Sequence, residues 1–84
     1  MSTRHQASVP GKAERYFAAV GIGTFYTHPV VTRTFVPGLG WKRYPVRKRI
    51  SLNWARQARA EGVTDVELRA GGHTADFRIE ELVR

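Results

Sequence analysis

The side chains with the most chemistry to offer sit in one stretch, Trp41-Lys42-Arg43-Tyr44-Pro45-Val46-Arg47-Lys48-Arg49. Five of its nine residues are cations and two are aromatic. A guanidinium is a planar, permanently charged fork that matches phosphate and carboxylate groups and stacks on flat rings. Read as a strand, the segment turns alternate side chains to opposite faces. Tyr44, Val46 and Ile50 then point one way, and Arg43, Arg47 and Arg49 the other. Such a row advances about 7 Å per two residues, comparable to the phosphate repeat of one nucleic-acid strand. The same count puts Lys48 on the apolar face, as a stem snorkelling past the core rim, unless a bulge at Pro45 changes the parity.

This segment reads as a phosphate-contacting β-ribbon, with Trp41 and Tyr44 near its tip to stack on bases or enter a groove. The competing structural reading is a solvated edge strand. Natural edges carry Lys, Arg and Pro to block aggregation, and Trp41 and Tyr44 would then be core residues. Five cations in nine residues exceed what edge protection requires. Arg33, on the preceding strand, and Arg56 and Arg59, neighbours on one helix, are candidates to extend the basic surface. For the helix pair the plain alternative is a solvated face. Lys12, Arg15 and Arg4 add to the same field.

The charge balance supports an anionic partner. The chain of 84 residues carries 14 Lys and Arg against 7 Asp and Glu, a net +7. Eleven of the cations are Arg and three are Lys, a ratio that a coding bias would also produce. Distribution says more than the sum. Residues 1–60 hold eleven basic side chains and one acid, Glu14, whereas residues 61–84 hold three basic side chains and six acids. A surface built only for solubility mixes its signs. Segregation makes a positive field that attracts polyanions from a distance.

Catalytic and metal chemistry find little support. His5, His28 and His73 lack metal-ligand spacing to a second ligand, and no Ser lies in a nucleophile motif. Gly21-Ile22-Gly23 and Gly38-Leu39-Gly40 are fragments of phosphate-loop patterns without the Lys-Ser/Thr that completes them. A small basic ribonuclease using His28 or His73 with Arg and Tyr is the enzymatic alternative. The expectation is a non-enzyme with no cofactor and no metal. The absence of cysteine removes disulfides and thiolate metal sites and favours a cytoplasmic location. The polar N-terminus has no apolar run to serve as a signal peptide, and no apolar run approaches 18 residues, so no membrane association is expected.

The elements that would position these residues make a small α+β domain. Residues 1–11 read as a flexible basic tail ending at Pro10-Gly11, and 12–84 as one domain. Lys12 to Val20 leans to a short helix, broken at Gly21. Thr24 to Thr27 is β-prone and ends at His28-Pro29. Val30 to Val36 is β-branched or aromatic at six of seven positions, a strand. Pro37 to Gly40 is a turn, and Trp41 to Ile50 the return strand, with Pro45 marking an edge or a bulge. Ser51 to Glu61 is the clearest helix, with Ser51 as N-cap, Gly62 as stop, and Trp54, Ala58, Ala55 and Leu52 as its core face. Val66–Ala70 and Thr74–Ile79 form a hairpin around Gly71-Gly72. Its expected register sets Ala70 opposite His73, Leu68 opposite Ala75, Val66 opposite Phe77 and Glu67 opposite Asp76. The whole is an antiparallel sheet of four or five strands with one main helix on one face, in the order (α)βββαββ.

The sequence therefore points to a non-catalytic nucleic-acid- or nucleoprotein-binding module, a monomer or weak homodimer. Its partner would be DNA, RNA or an acidic protein or nucleoprotein surface. The alternative is a small phage or mobile-element protein that inhibits a host complex, anti-CRISPR-like, through the same basic surface. A third reading is an assembly factor whose acidic C-terminal hairpin meets the basic ribbon of another copy.

Overall fold

The computed structural model describes residues 11–19 and 29–83, and for Ala18 and Ala19 the backbone alone. Residues 1–10 of the expected tail, the Gly21-Ile22-Gly23 break and the Thr24–Thr27 segment lie outside the described residues. Element order is α1 (Lys12–Ala19), β1 (Val30–Val36), β2 (Gly40–Arg49), α2 (Leu52–Ala60), β3 (Asp65–Ala70), β4 (His73–Arg78) and α3 (Ile79–Leu82). Among the described residues four strands form one sheet in the order β2-β1-β3-β4, with every ladder antiparallel.

The β1–β2 connection follows from its residues. Pro37 supplies the fixed φ of a first turn position, and Gly38 takes φ +89, the left-handed value that a type II turn needs next. Leu39 N donates to Val36 O at 2.9 Å to close it. After β2, Ser51 caps α2 by accepting from Trp54 N at 3.1 Å. At the other end Gly62, at φ +102, lets Val63 N reach back to Ala58 O at 3.0 Å and stop the helix. The β3–β4 register has Ala70 opposite His73, Leu68 opposite Ala75, Val66 opposite Phe77 and Glu67 opposite Asp76, as the alternation of the hairpin requires. Gly71 at φ +59 occupies the first central position of its two-residue loop.

One face of the sheet is the core. Val31, Val66, Leu68, Ala70 and Phe77 project from it and meet Trp54, Ala55 and Ala58 of α2. Phe77 is 1% exposed, and burial of a side chain of that size contributes about 2–3 kcal/mol. Tyr16 of α1 packs edge-on to Phe77 at 5.2 Å between ring centroids and donates its hydroxyl to His73 O at 3.0 Å. Burial pushes the Tyr16 phenol above its ordinary pKa, so it stays a neutral donor. Lys12 Nζ donates to the Asp76 carbonyl, which ties α1 to β4, the edge of the sheet remote from β2.

Two details depart from the sequence reading. Leu52, expected on the core face of α2, is 41% exposed. It is the first helical residue, one turn ahead of the buried Ala55, and lies past the end of the contact. Ile79 ends the hairpin rather than extending it. Its N donates to Thr64 O at 2.8 Å, while Glu81 Oε1 accepts from Arg78 N at 3.0 Å and starts the single turn of α3.

Candidate functional site: a basic groove on the outer sheet face

The face of the sheet opposite α2 is built from three cross-strand rungs. Trp41, Phe35 and Asp65 form the first, Arg43, Arg33 and Glu67 the second, and Arg49, Val30 and Arg69 the third, reading from β2 through β1 to β3. Neighbouring rungs are about 7 Å apart along the regular strand β3, where they are two residues apart.

A bulge sets this spacing. Between Arg33 opposite Arg43 and Val31 opposite Lys48, β1 spends one intervening residue, Thr32, and β2 spends four, Tyr44 to Arg47. On a straight strand Arg43 and Arg49 would be about 20 Å apart. With the four residues looped out of register they occupy adjacent rungs. Pro45 has no N–H to contribute to a ladder, which makes this the place where pairing is cheapest to lose. Tyr44 turns toward the helix, where its hydroxyl accepts from Trp54 Nε1 at 2.9 Å and the two rings meet edge-on at 5.7 Å. Pro45, Val46 and Arg47 are exposed.

The bulge and the outer face enclose an open groove of about 780 Å³. Arg33, Arg43, Arg47 and Arg69 line it together with Trp41, Pro45, Val46, Thr32 and Glu67, and it reaches Thr74 on β4. Four guanidinium groups thus face one carboxylate. Arg33 lies over the Trp41 ring with its guanidinium carbon 4.3 Å from the centroid, and Phe35 abuts the same indole at 5.5 Å. Arg33 Nε comes within 3.3 Å of Glu67 Oε2. The angle is too poor for a hydrogen bond, so the contact is an ion pair only. Glu67 is held in turn by Thr32, whose Oγ1 is 2.7 Å from Oε1 and 3.0 Å from the Glu67 carbonyl. The single hydroxyl hydrogen serves one of these at a time, and the shorter, charge-assisted contact is the stronger.

The ten residues singled out from sequence divide between the two faces. Arg33, Trp41, Arg43 and Arg47 line the groove, and Arg49 lies on the same face one rung from Arg43. Arg43, Arg47 and Arg49 are exposed and make no ion pair among the described residues. Arg33 and Arg43 are directly opposite one another, a like-charge pair that is unfavourable without an anion between them. Tyr44 borders the groove as well, although its hydroxyl is bonded to Trp54 on the helix side, and Lys42 and Lys48 belong to the helix side. Lys48 is opposite Val31 and Lys42 opposite Thr34, both exposed on a strand that pairs only with β1 among the described residues. The alternation that sent Lys48 to the apolar face holds on either side of the bulge but fails within it, where Val46, expected beside Tyr44 on that face, is exposed and lines the groove. Arg56 and Arg59 are in the helical layer behind the sheet and do not join the groove. Arg59 is instead bonded to Glu80 Oε1 at 3.1 Å.

Sequence reasoning missed Arg69, Phe35 and Glu67 as parts of this site. Arg69 sits between buried Leu68 and Ala70, so alternation already sent it to the outer face. What it could not supply was that β3 inserts beside β1, which brings Arg69 into line with Arg49. The acids on this face are Asp65, Glu67 and Asp76, all on β3 and β4, so the positive field is strongest over β1 and β2.

Among the described residues no group of three His, Asp or Glu side chains is arranged to hold a metal ion. None of the described helices is long and apolar enough to cross a membrane. Comparison with protein-family models, curated proteins and solved structures found no match.

Proposed function

We propose that this domain is a non-catalytic nucleic-acid-binding module whose contact surface is the outer face of the sheet, centred on Arg33, Arg43, Arg47, Arg49 and Arg69. The observation that carries this reading is the gathering of Arg43, Arg47 and Arg49 on one face without carboxylate partners. A protein gains no stability from crowding like charges, and a bound polyanion would offset their repulsion. Guanidinium groups make charge-assisted, bidentate bonds to phosphate oxygens, so the groove is chemically suited to a phosphodiester backbone. Lys42 and Lys48, both exposed, add to the long-range field.

A gel-shift series with DNA and RNA at two salt concentrations tests this. Native protein should shift the nucleic acid at low salt and release it as salt rises, because counterion release drives phosphate contacts. A variant with Arg43, Arg47 and Arg49 changed to Glu should keep its fold and lose the shift. Retained binding by that variant would refute the assignment. If pull-downs from nuclease-treated lysate instead retained a stoichiometric acidic protein, the surface would serve inhibition of a host complex.

A further inference from the structure

The groove also indicates which form of nucleic acid it takes. Resting on the polyanion reading above, we infer that its ligand is single-stranded, with a base stacked on the Arg33–Trp41 layer. Two features separate a single strand from a duplex, and a third prepares the site for its ligand.

The first is shape. Proteins that read the major groove of duplex DNA with strands insert a two-stranded ribbon into that groove, about 12 Å wide. Here β1 is paired on both sides, to β2 and to β3, so the β1–β2 hairpin is no free ribbon. Its tip, Pro37-Gly38-Leu39, carries no cation. The guanidinium groups line a recess instead of crowning a projection. From the bulge on β2 to Thr74 on β4 the recess crosses three inter-strand steps, about 14 Å, which admits a single strand and not the body of a double helix.

The second is an exposed ring with a guanidinium over it. Trp41 is 37% exposed and is flanked by Phe35, whose ring is tilted 60° to it. The Arg33 guanidinium lies on its ring and its side chain remains 42% exposed. Unpaired bases stack on aromatic rings and on arginine planes, whereas bases in a duplex are already stacked on each other.

The third is preorganisation. Thr32 holds Glu67, and Glu67 sets the Nε side of Arg33 while Trp41 supports its plane. The terminal nitrogens of Arg33 have no hydrogen bond among the described residues, so they are free to take a phosphate or a base edge. Little side-chain entropy remains to be lost when a ligand arrives.

Fluorescence anisotropy with an end-labelled 12-nucleotide strand and its matching duplex, at equal salt, tests the inference. The single strand should bind at least about 10-fold more tightly than the duplex. Trp41→Ala should weaken single-strand binding by about 10-fold without changing the salt slope, and Trp41→Phe should restore most of it, since one stacked base accounts for an effect of that order. Superimposable circular-dichroism melts would exclude misfolding. A duplex bound as tightly as the strand, or a silent Trp41→Ala, would overturn the single-strand assignment and leave the polyanion reading standing. No binding of either form at 50 mM salt would remove both.

Discussion

The two hairpins of this sheet solve opposite problems. The β3–β4 hairpin is regular, in register from Asp65–Arg78 to Ala70–His73, and sends Val66, Leu68, Ala70 and Phe77 into the core. The β1–β2 hairpin is broken by a four-against-one bulge, and β2 has no buried residue along its length. One hairpin holds the fold together, and the other is held by it. Regular pairing maximises burial. Irregular pairing at an edge gathers charge that burial would forbid, and so short a chain has room to do both only by dividing them between strands.

The largest expected effect tests that division through stability. Phe77→Ala should destabilise the domain by about 3–5 kcal/mol in urea unfolding, enough to unfold much of so small a protein. Val46→Ala, at an exposed apolar residue of the bulge, should change stability by less than about 0.5 kcal/mol. Equal losses would erase the distinction between the hairpins.

Binding should show the reverse asymmetry. Replacing Arg43, Arg47 and Arg49 by Ala should weaken single-strand binding about 100-fold near 0.1 M salt, from three lost phosphate contacts. Its thermal midpoint should stay at or slightly above that of the native protein, because like-charge repulsion is relieved. The link between the two regions is the Tyr44–Trp54 hydrogen bond. Tyr44→Phe leaves the indole N–H without its partner and should cost about 1–2 kcal/mol. It should also loosen the bulge, read as faster exchange of the Tyr44, Val46 and Arg47 amides. At the small end, Gly38→Ala and Gly71→Ala should each cost about 1 kcal/mol. Both glycines have positive φ, and a new Cβ meets no atom within 4 Å, so the cost is backbone strain alone.

Much of this architecture was legible because short-range rules determine it. Ser51 and Gly62 bracket α2, Pro37-Gly38 specifies its turn, and Gly71-Gly72 together with alternation sets the β3–β4 register to the residue. Pro45 announced the irregularity of β2. Its size was not legible, because the number of residues looped out depends on Tyr44 reaching Trp54 across the core face. For the same reason Arg43, Arg47 and Arg49 read as a straight row, whereas Arg43 and Arg49 occupy neighbouring rungs and Arg47 lies in the bulge between them. Strand order was the other gap. Nothing local in Arg69 reveals that β3 lies beside β1, and no periodicity tells Arg59 that Glu80 is within reach. Leu52 kept the helical phase of a core residue but fell beyond the contact, which phase alone does not show.

The most direct test of the central claim is the salt dependence of binding to a single strand, compared between native protein and the Arg43/Arg47/Arg49→Ala variant. If these three side chains contact phosphates, the slope of log K against log salt should become shallower by about 2, from roughly 0.7 per contact. Equal slopes for the two proteins would show that the gathered guanidinium groups touch no phosphate.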